Sequence, residues 1–169
     1  MKNHFELFGL NPAYALDLVH LDGAYRDIQS QIHPDRYANA GDAERRASMQ
    51  MTTQVNEAYR VLKSPVQRAK YLLELNGVDT GFETNTAMPP DFLMEQMELR
   101  EALEAARDAD SLARLEQKLF DAKQMIEGKI GERIDGAHDY IGASDLVRKL
   151  MFFEKLDEEI NAAYETLDS

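Results

Sequence analysis

The residues best suited to chemistry stand in a row: His33, Pro34 and Asp35, within QSQIHPDRY, sit where a helical pattern stops. An imidazole and a carboxylate two residues apart can relay a proton, hold a cation, or offer one ring and one charge to another protein. The first use calls for a nucleophile, a base and an orienting third group converging on one point, and residues of a single loop with no oxyanion candidate rarely meet that demand. The second calls for more ligands. His4, His20 and His138 are isolated in the sequence and show no HExxH or similar spacing, so they read as surface or partly packed residues and no metal is expected. Cysteine is absent, which excludes disulfides and thiolate-bound zinc or iron–sulfur clusters on this chain. Gly128, Gly131 and Gly136 are not followed by GK[ST], so they form no phosphate loop and instead mark a bent or frayed helix end. No cofactor is expected, and His33 and Asp35 are either solvated residues beside a helix-stopping proline or residues that a partner could reach.

Charge narrows the partners. The net charge is −12, and it is unevenly spread: residues 1–75 carry nine Lys/Arg and nine Asp/Glu, residues 76–169 ten and twenty-two. Phosphate backbones and anionic membranes call for a basic surface, so neither nucleic acid nor membrane is expected as the main partner. There is no run of about 18 apolar residues, and the opening MKNHFELFGL has neither an apolar signal core nor an Arg/Ser-rich transit character. A soluble protein of a reducing, cytoplasmic compartment is the expectation.

The elements that must position the tripeptide are helical. At 169 residues with 44% hydrophobic content the chain can form one domain or two small ones. Leu18, Leu21, Tyr25, Ile28 and Ile32 form one apolar stripe, and Ala47, Met51, Val55, Ala58 and Leu62 a second, predicting two antiparallel amphipathic helices. A short segment near Phe5 to Phe8 precedes them. Pro34 lacks an amide hydrogen and biases His33 away from the α region, so the first long helix ends there and His33 and Asp35 lie at the tip of a hairpin, with the next helix starting near Gly41-Asp42. Ser64-Pro65-Val66-Gln67 has the form of a capping box with proline at the first helical position, which predicts a further helix ending near Asn76-Gly77. The stretch NGVDTGFETNTAMPPD has little periodicity and is the candidate linker, dividing the chain into 1–75, 76–90 and 91–169. Beyond it, a helix from Pro90 to about Arg107, another marked by Leu112, Leu115, Leu119, Ala122, Ile126 and Ile130, and a last one striped by Leu146, Leu150, Phe153, Ile160, Tyr164 and Leu167 predict an antiparallel three-helix bundle. The fold class is all-α.

AYRDIQSQIHPDRY (24–37), VNEAYRVLKSP (55–65) and QRAKY (67–71), taken in order and spacing, resemble the J-domain family. That resemblance implies that the His-Pro-Asp turn engages a DnaK-type chaperone and stimulates its ATP hydrolysis, with His33, Pro34 and Asp35 joined by Arg26 and Arg36 in the contact. One departure is plain. General J-domains carry a Lys/Arg run on the second helix, whereas here Arg26 stands among Asp22, Asp27 and Gln31, which points to a dedicated chaperone partner.

In the second half, Phe92, Gln96, Leu99, Leu103 and Ala106 share one helical face and should face the core, while Leu93, Met94 and Met97 lie about 100° to 200° away, on a sector with Glu101 and Glu104. Met151 and Phe152 likewise stand off the stripe of the last helix. Such residues either fill a second seam of the bundle or form an apolar patch with an acidic rim of Glu98, Glu101 and Glu104, which describes a protein-binding surface. Asp157-Glu158-Glu159 reads as a solvated helix face. FLMEQMELREALE (92–104) and VRKLMFFEKL (147–156) are similar to the carboxy-terminal three-helix domain of the HscB family, so that the likeness spans essentially the whole chain. It implies a co-chaperone without catalytic activity that brings an IscU-like iron–sulfur scaffold to an HscA-like chaperone, with the off-core patch as the scaffold-binding surface. A J-protein serving another client, and a purely structural helical protein, are the alternatives.

Overall fold

Four helix starts among the described residues, at Asn3, Asp17, Ser64 and Asp108, are set by side chains that satisfy otherwise unpaired amides. Asn3 Oδ1 accepts from the Glu6 amide at 2.9 Å while the Asn3 amide donates to Glu6 Oε2 at 3.2 Å, a reciprocal capping box that opens α1, His4–Leu7. Asp17 Oδ1 accepts from the amides of Val19 and His20 and opens α2, Leu18–Ile32. After a 3-10 turn at Pro34–Tyr37 come α3, Asp42–Lys63, and α4, Pro65–Leu75, the latter begun by Ser64 Oγ, which accepts from the Gln67 amide at 3.3 Å. Then follow α5, Pro90–Ala105, α6, Ala109–Gly131, and α7, Tyr140–Asp168. The computed structural model describes residues 2–79 and 88–168; among them there is no strand, and no helix is long and apolar enough to cross a membrane. Residues 80–87 of the candidate linker lie outside the described residues. The chain divides into two compact units, Met1–Leu72 and Leu73–Ser169.

In the first unit, α2 and α3 run antiparallel. Their contacts pair ascending with descending numbers: Asp22 with Lys63, Tyr25 with Tyr59, and Ile32 with Ser48. Leu21, Val55, Ala58 and Leu62 fill the seam with Phe5 from α1. Polar pairs fasten its edge. The Tyr25 and Tyr59 rings stack at 4.0 Å, Tyr25 Oη donates to Asn56 Oδ1 at 2.7 Å, and Asp22 accepts from both Tyr59 Oη and Lys63 Nζ. Lys63 and Tyr59 hold the Asp22 carboxyl below the usual carboxylate range. Part of the acidic character read onto α2 is therefore neutralised within the fold.

Two residues to which the sequence assigned no structural role hold this unit together. Arg68 on α4 is buried; its Nε donates to the Tyr14 carbonyl at 2.7 Å and its Nη1 to the Leu62 carbonyl at 2.6 Å, with the guanidinium over the Tyr14 ring. It ties the segment before α2 and the end of α3 to α4. Replacing Arg68 with Leu leaves two carbonyls short of a charged donor, and the first unit should lose on the order of 3 kcal/mol, read from urea midpoints of the full chain. An unchanged midpoint would remove Arg68 from this role.

His4 is the second. Its ring stacks on Tyr71 at 4.2 Å and its amide donates to Tyr71 Oη at 2.9 Å, linking α1 to α4. Burial, in part offset by Glu57 and reinforced by Arg60, lowers the imidazole below its ordinary 6.5. The unfolded chain then binds the proton more readily than the folded one. The part of the stability that depends on a neutral His4 is fully present above pH 6.5 and is lost as pH drops through 6.5 toward the folded value. His4→Phe should remove that contribution, so that comparing urea midpoints at neutral and mildly acid pH shows a smaller decline than in the parent chain.

The second unit is an up-down-up bundle. Lys123 meets Glu154 and Asp157 while Glu116 acts on Tyr164, so α6 and α7 run antiparallel; Phe92 meets Phe152 and Phe153 while Arg100 meets Glu159, so α5 and α7 run parallel. The core stripe of α7 differs from the expected one. Ala143, Val147, Leu150, Phe153, Leu156 and Ile160 are buried, Leu146 and Tyr164 are half-buried, and Leu167 is exposed. Their spacing of four, three, three, three and four is shorter than 3.6 on average, so the stripe winds round the helix as it follows its neighbours.

Two further expectations are corrected. Ala106 follows the end of α5, with extended backbone, because Asp108 takes the Ser111 amide at 2.8 Å and starts α6 at once. The Asp157-Glu158-Glu159 cluster is not uniformly solvated: Asp157 pairs with Lys123 and Glu159 with Arg100, because each meets a cation from a neighbouring helix. Gly131 and Gly136 flank a π turn over Glu132–Gly136 that prolongs α6 before the left-handed His138.

Candidate functional site

Three observations build the turn at the hairpin tip. His33 leaves α2 with φ −54° and ψ 134°, as Pro34 dictates, and Pro34 begins the 3-10 turn. Buried Ser48 on α3 donates from Oγ to the Ile32 carbonyl at 2.6 Å, pinning the last carbonyl before His33. The Asp35 amide donates to His33 Nδ1 at 3.2 Å and the Arg36 amide to the His33 carbonyl at 3.0 Å. With Nδ1 occupied as an acceptor, the neutral ring carries its proton on Nε2. The Asp35 carboxylate stands 3.6 Å from Nδ1, and the side chains of His33 and Asp35 are 50% and 94% exposed. Arg26 and Arg36 are exposed and Pro34 half-buried.

This arrangement presents an imidazole edge and a carboxylate side by side on a backbone that does not depend on either side chain's burial. Among the described residues His33 makes no hydrogen bond to a hydroxyl, and Ser48 is committed to Ile32, so no nucleophile–base pair forms here. No group of three or more His, Asp or Glu side chains among them is placed to hold a metal ion. Beside the turn, Ala47 and Met51 do not enter the core as their stripe suggested. They line, with Ile32, Tyr37, Glu44 and Ser48, an open cavity of about 300 Å³, because α2 ends at Ile32 and supplies nothing further to cover them.

In the second unit Leu93, Met94 and Met97 are 43%, 61% and 63% exposed, and Glu98, Glu101 and Glu104 are exposed beside them. Met151 and Phe152 are half-buried on α7. Phe152 meets the edge of Phe92 at 5.6 Å and 89°, and the Arg100 guanidinium lies over the Phe152 ring at 5.4 Å. Arg100 is seven residues from Leu93, two turns along the same flank, so the flank that carries Leu93 is the one turned to Phe152. Seam packing and surface patch, the two readings open in the sequence, are thus divided by residue: the α5 side chains are surface, and Phe152 belongs to both. Lys149, 5.4 Å over the Phe92 ring, and the Arg100–Glu159 pair at 2.8 Å were not anticipated. The signal for the Arg100–Glu159 pair was present as seven-residue steps, 93 to 100 and 152 to 159, legible only once α5 and α7 are set in parallel.

A chain with a buttressed His-Pro-Asp hairpin and an acid-rimmed apolar bundle can be compared with known proteins. Residues 3–71 match the DnaJ domain, and residues 88–161 match the HSCB C-terminal oligomerisation domain. The co-chaperone protein HscB homolog of Burkholderia vietnamiensis is 49% identical over 170 residues, covering 99% of this chain and 97% of that protein. The chain belongs to the HscB family of co-chaperones. Solved structures agree. Chaperone HscB from Vibrio cholerae superposes with a TM-score of 0.87 at 35% identity, covering 98% of this chain and 99% of that one. Human co-chaperone HscB superposes at 0.93 with 26% identity, covering 96% and 82%. The first unit is a J-domain, and a DnaK-type chaperone is the kind of partner that an HscB-family J-domain implies.

Proposed function

We propose that this HscB-family chain stimulates ATP hydrolysis by a dedicated, HscA-like DnaK-type chaperone and delivers an IscU-like iron–sulfur scaffold to it in the cytoplasm, itself catalysing nothing. The observation that carries the reading is the pairing, in one chain, of an outward His33-Pro34-Asp35 turn and a bundle with an exposed apolar patch rimmed by carboxylates. His33, Pro34 and Asp35, with Arg26 and Arg36, form the chaperone contact. Leu93, Met94, Met97, Met151 and Phe152 form the apolar part of the scaffold site, and Glu98, Glu101 and Glu104 its rim. Methionines suit such a surface because an unbranched thioether repacks at little cost. The J-domain offers few cations on α2, and Asp22 is already spent on Lys63, so attraction to an acidic chaperone rests on Arg26 and Arg36 and favours a partner fitted to that sparse pattern.

Single-turnover ATP hydrolysis by an HscA-like chaperone tests this directly, with the chain and the scaffold added separately and together. Stimulation by the chain alone, and more by the two together than the sum of each, is expected. Holding two ligands of the chaperone on one molecule raises the effective concentration of the second. Stimulation with no added effect of scaffold would leave the J-domain activity and dismiss the scaffold as client.

A further inference from the structure

On α5 and α7, Phe152 is held from two sides. The edge of Phe92 supports it at 5.6 Å, and the Arg100 guanidinium covers its ring at 5.4 Å. Arg100 is itself anchored, its Nη1 donating to Glu159 Oε2 at 2.8 Å. Glu159 lies two turns after Phe152 on the same helix, so Arg100 spans from the carboxylate back across the aromatic ring. Phe92 is in turn fixed by burial against Phe153 and by Lys149 above its ring. A half-exposed phenylalanine on a surface helix ordinarily samples several rotamers, and freezing it on binding costs free energy. Here one face is capped by a planar cation whose own freedom is removed by an ion pair.

We propose that Arg100, anchored by Glu159, is a positioning residue: it fixes the Phe152 ring in the orientation in which the scaffold-binding patch receives its partner. The inference rests on the scaffold site proposed above. Guanidinium is suited to the task because it is flat, permanently charged and weakly hydrated, so it can lie on an aromatic face and keep a carboxylate at the same time. Glu159 matches the charge of Arg100 within the chain, which leaves the flat face of the guanidinium to the Phe152 ring.

The test uses the full chain with Arg100→Met, which keeps an unbranched side chain of similar reach, and Glu159→Gln, which keeps the acceptor but not the charge. Aromatic relaxation of labelled Phe152 in the free protein, thermal melts, and calorimetric titration with an IscU-type scaffold are read for each, alone and combined with Phe152→Ala. Expected are a more mobile Phe152 ring in both variants, a melting temperature close to the parent's, and scaffold affinity about fivefold to tenfold weaker for Arg100→Met, shrinking to less than about twofold when Phe152 is already Ala. Such a loss against an unchanged melt is not what a merely structural ion pair would produce. An unaltered Phe152 ring would overturn the proposal. So would a mobile ring with undiminished scaffold affinity, provided Phe152→Ala weakens binding. If neither Phe152→Ala nor Arg100→Met changes scaffold affinity, the scaffold site is wrong and the positioning role falls with it.

Discussion

A chain carrying His33→Gln is expected to leave single-turnover ATP hydrolysis by an HscA-like chaperone at its unstimulated rate, and Asp35→Asn to do the same. The polar contacts recorded for the two side chains lie within their own turn, and the side chains are 50% and 94% exposed, so neither substitution opens the core. Helix content by circular dichroism and affinity for the scaffold should be those of the parent. The turn itself has two supports, the Ser48 Oγ bond to Ile32 and the His33 Nδ1 bond from the Asp35 amide. His33→Asn separates geometry from recognition: an asparagine carbonyl can accept the amide two residues on and keep the turn, yet offers no imidazole Nε2. Failure of His33→Asn to stimulate, with native helix content, would place the requirement on the ring. Full stimulation by His33→Gln or Asp35→Asn would sink the assignment of this turn as the chaperone contact.

The other large effect is expected in the second unit. Changing Leu93, Met97 and Phe152 together to Ala should weaken scaffold binding by on the order of 3 kcal/mol, more than about a hundredfold, with J-domain stimulation in the absence of scaffold preserved. Central apolar contacts carry most binding energy, whereas rim charges act on encounter, so Gln at Glu98, Glu101 and Glu104 should slow association and flatten its salt dependence instead. Stability separates surface from seam. Leu93 and Met97 are exposed and their truncation should cost within about 0.5 kcal/mol, whereas Phe152 packs on Phe92 and should cost about 1 to 2 kcal/mol. A triple variant that melts far below this allowance and binds scaffold normally would show that the patch is packing.

Much of this was legible in one dimension. Pro34 could not continue a helix, so α2 had to end at His33 whatever surrounded it; of the two apolar stripes, Leu21 met Val55, Ala58 and Leu62 in the core, while Leu18, Ala47 and Met51 at the stripe ends stayed exposed. The cap expected at Ser64 works the same way, and Asn3, Asp17 and Asp108, not expected as caps, are as local, each satisfying amides within three residues of itself. These are local constraints, and local sequence contains them. The apolar residues left off a helix's core face, Leu93, Met94 and Met97, were visible for the same reason, as arithmetic on a single helix.

What the sequence alone did not hold was pairing. Arg68 looked like one cation among many until the fold carried the carbonyls of Tyr14 and Leu62 to it. Ser48, on the far side of the hairpin from Ile32, became a cap only through the antiparallel register of α2 and α3. Asp157 and Glu159 were solvated charges on the wheel and ion-pair partners in the bundle, because a wheel describes one helix and an ion pair takes two. Phe152 shows the division most sharply. Its departure from the α7 stripe is a property of spacing, but its capture between Phe92 and Arg100 depends on α5 lying parallel to α7, a relation between segments about sixty residues apart that only tertiary packing decides.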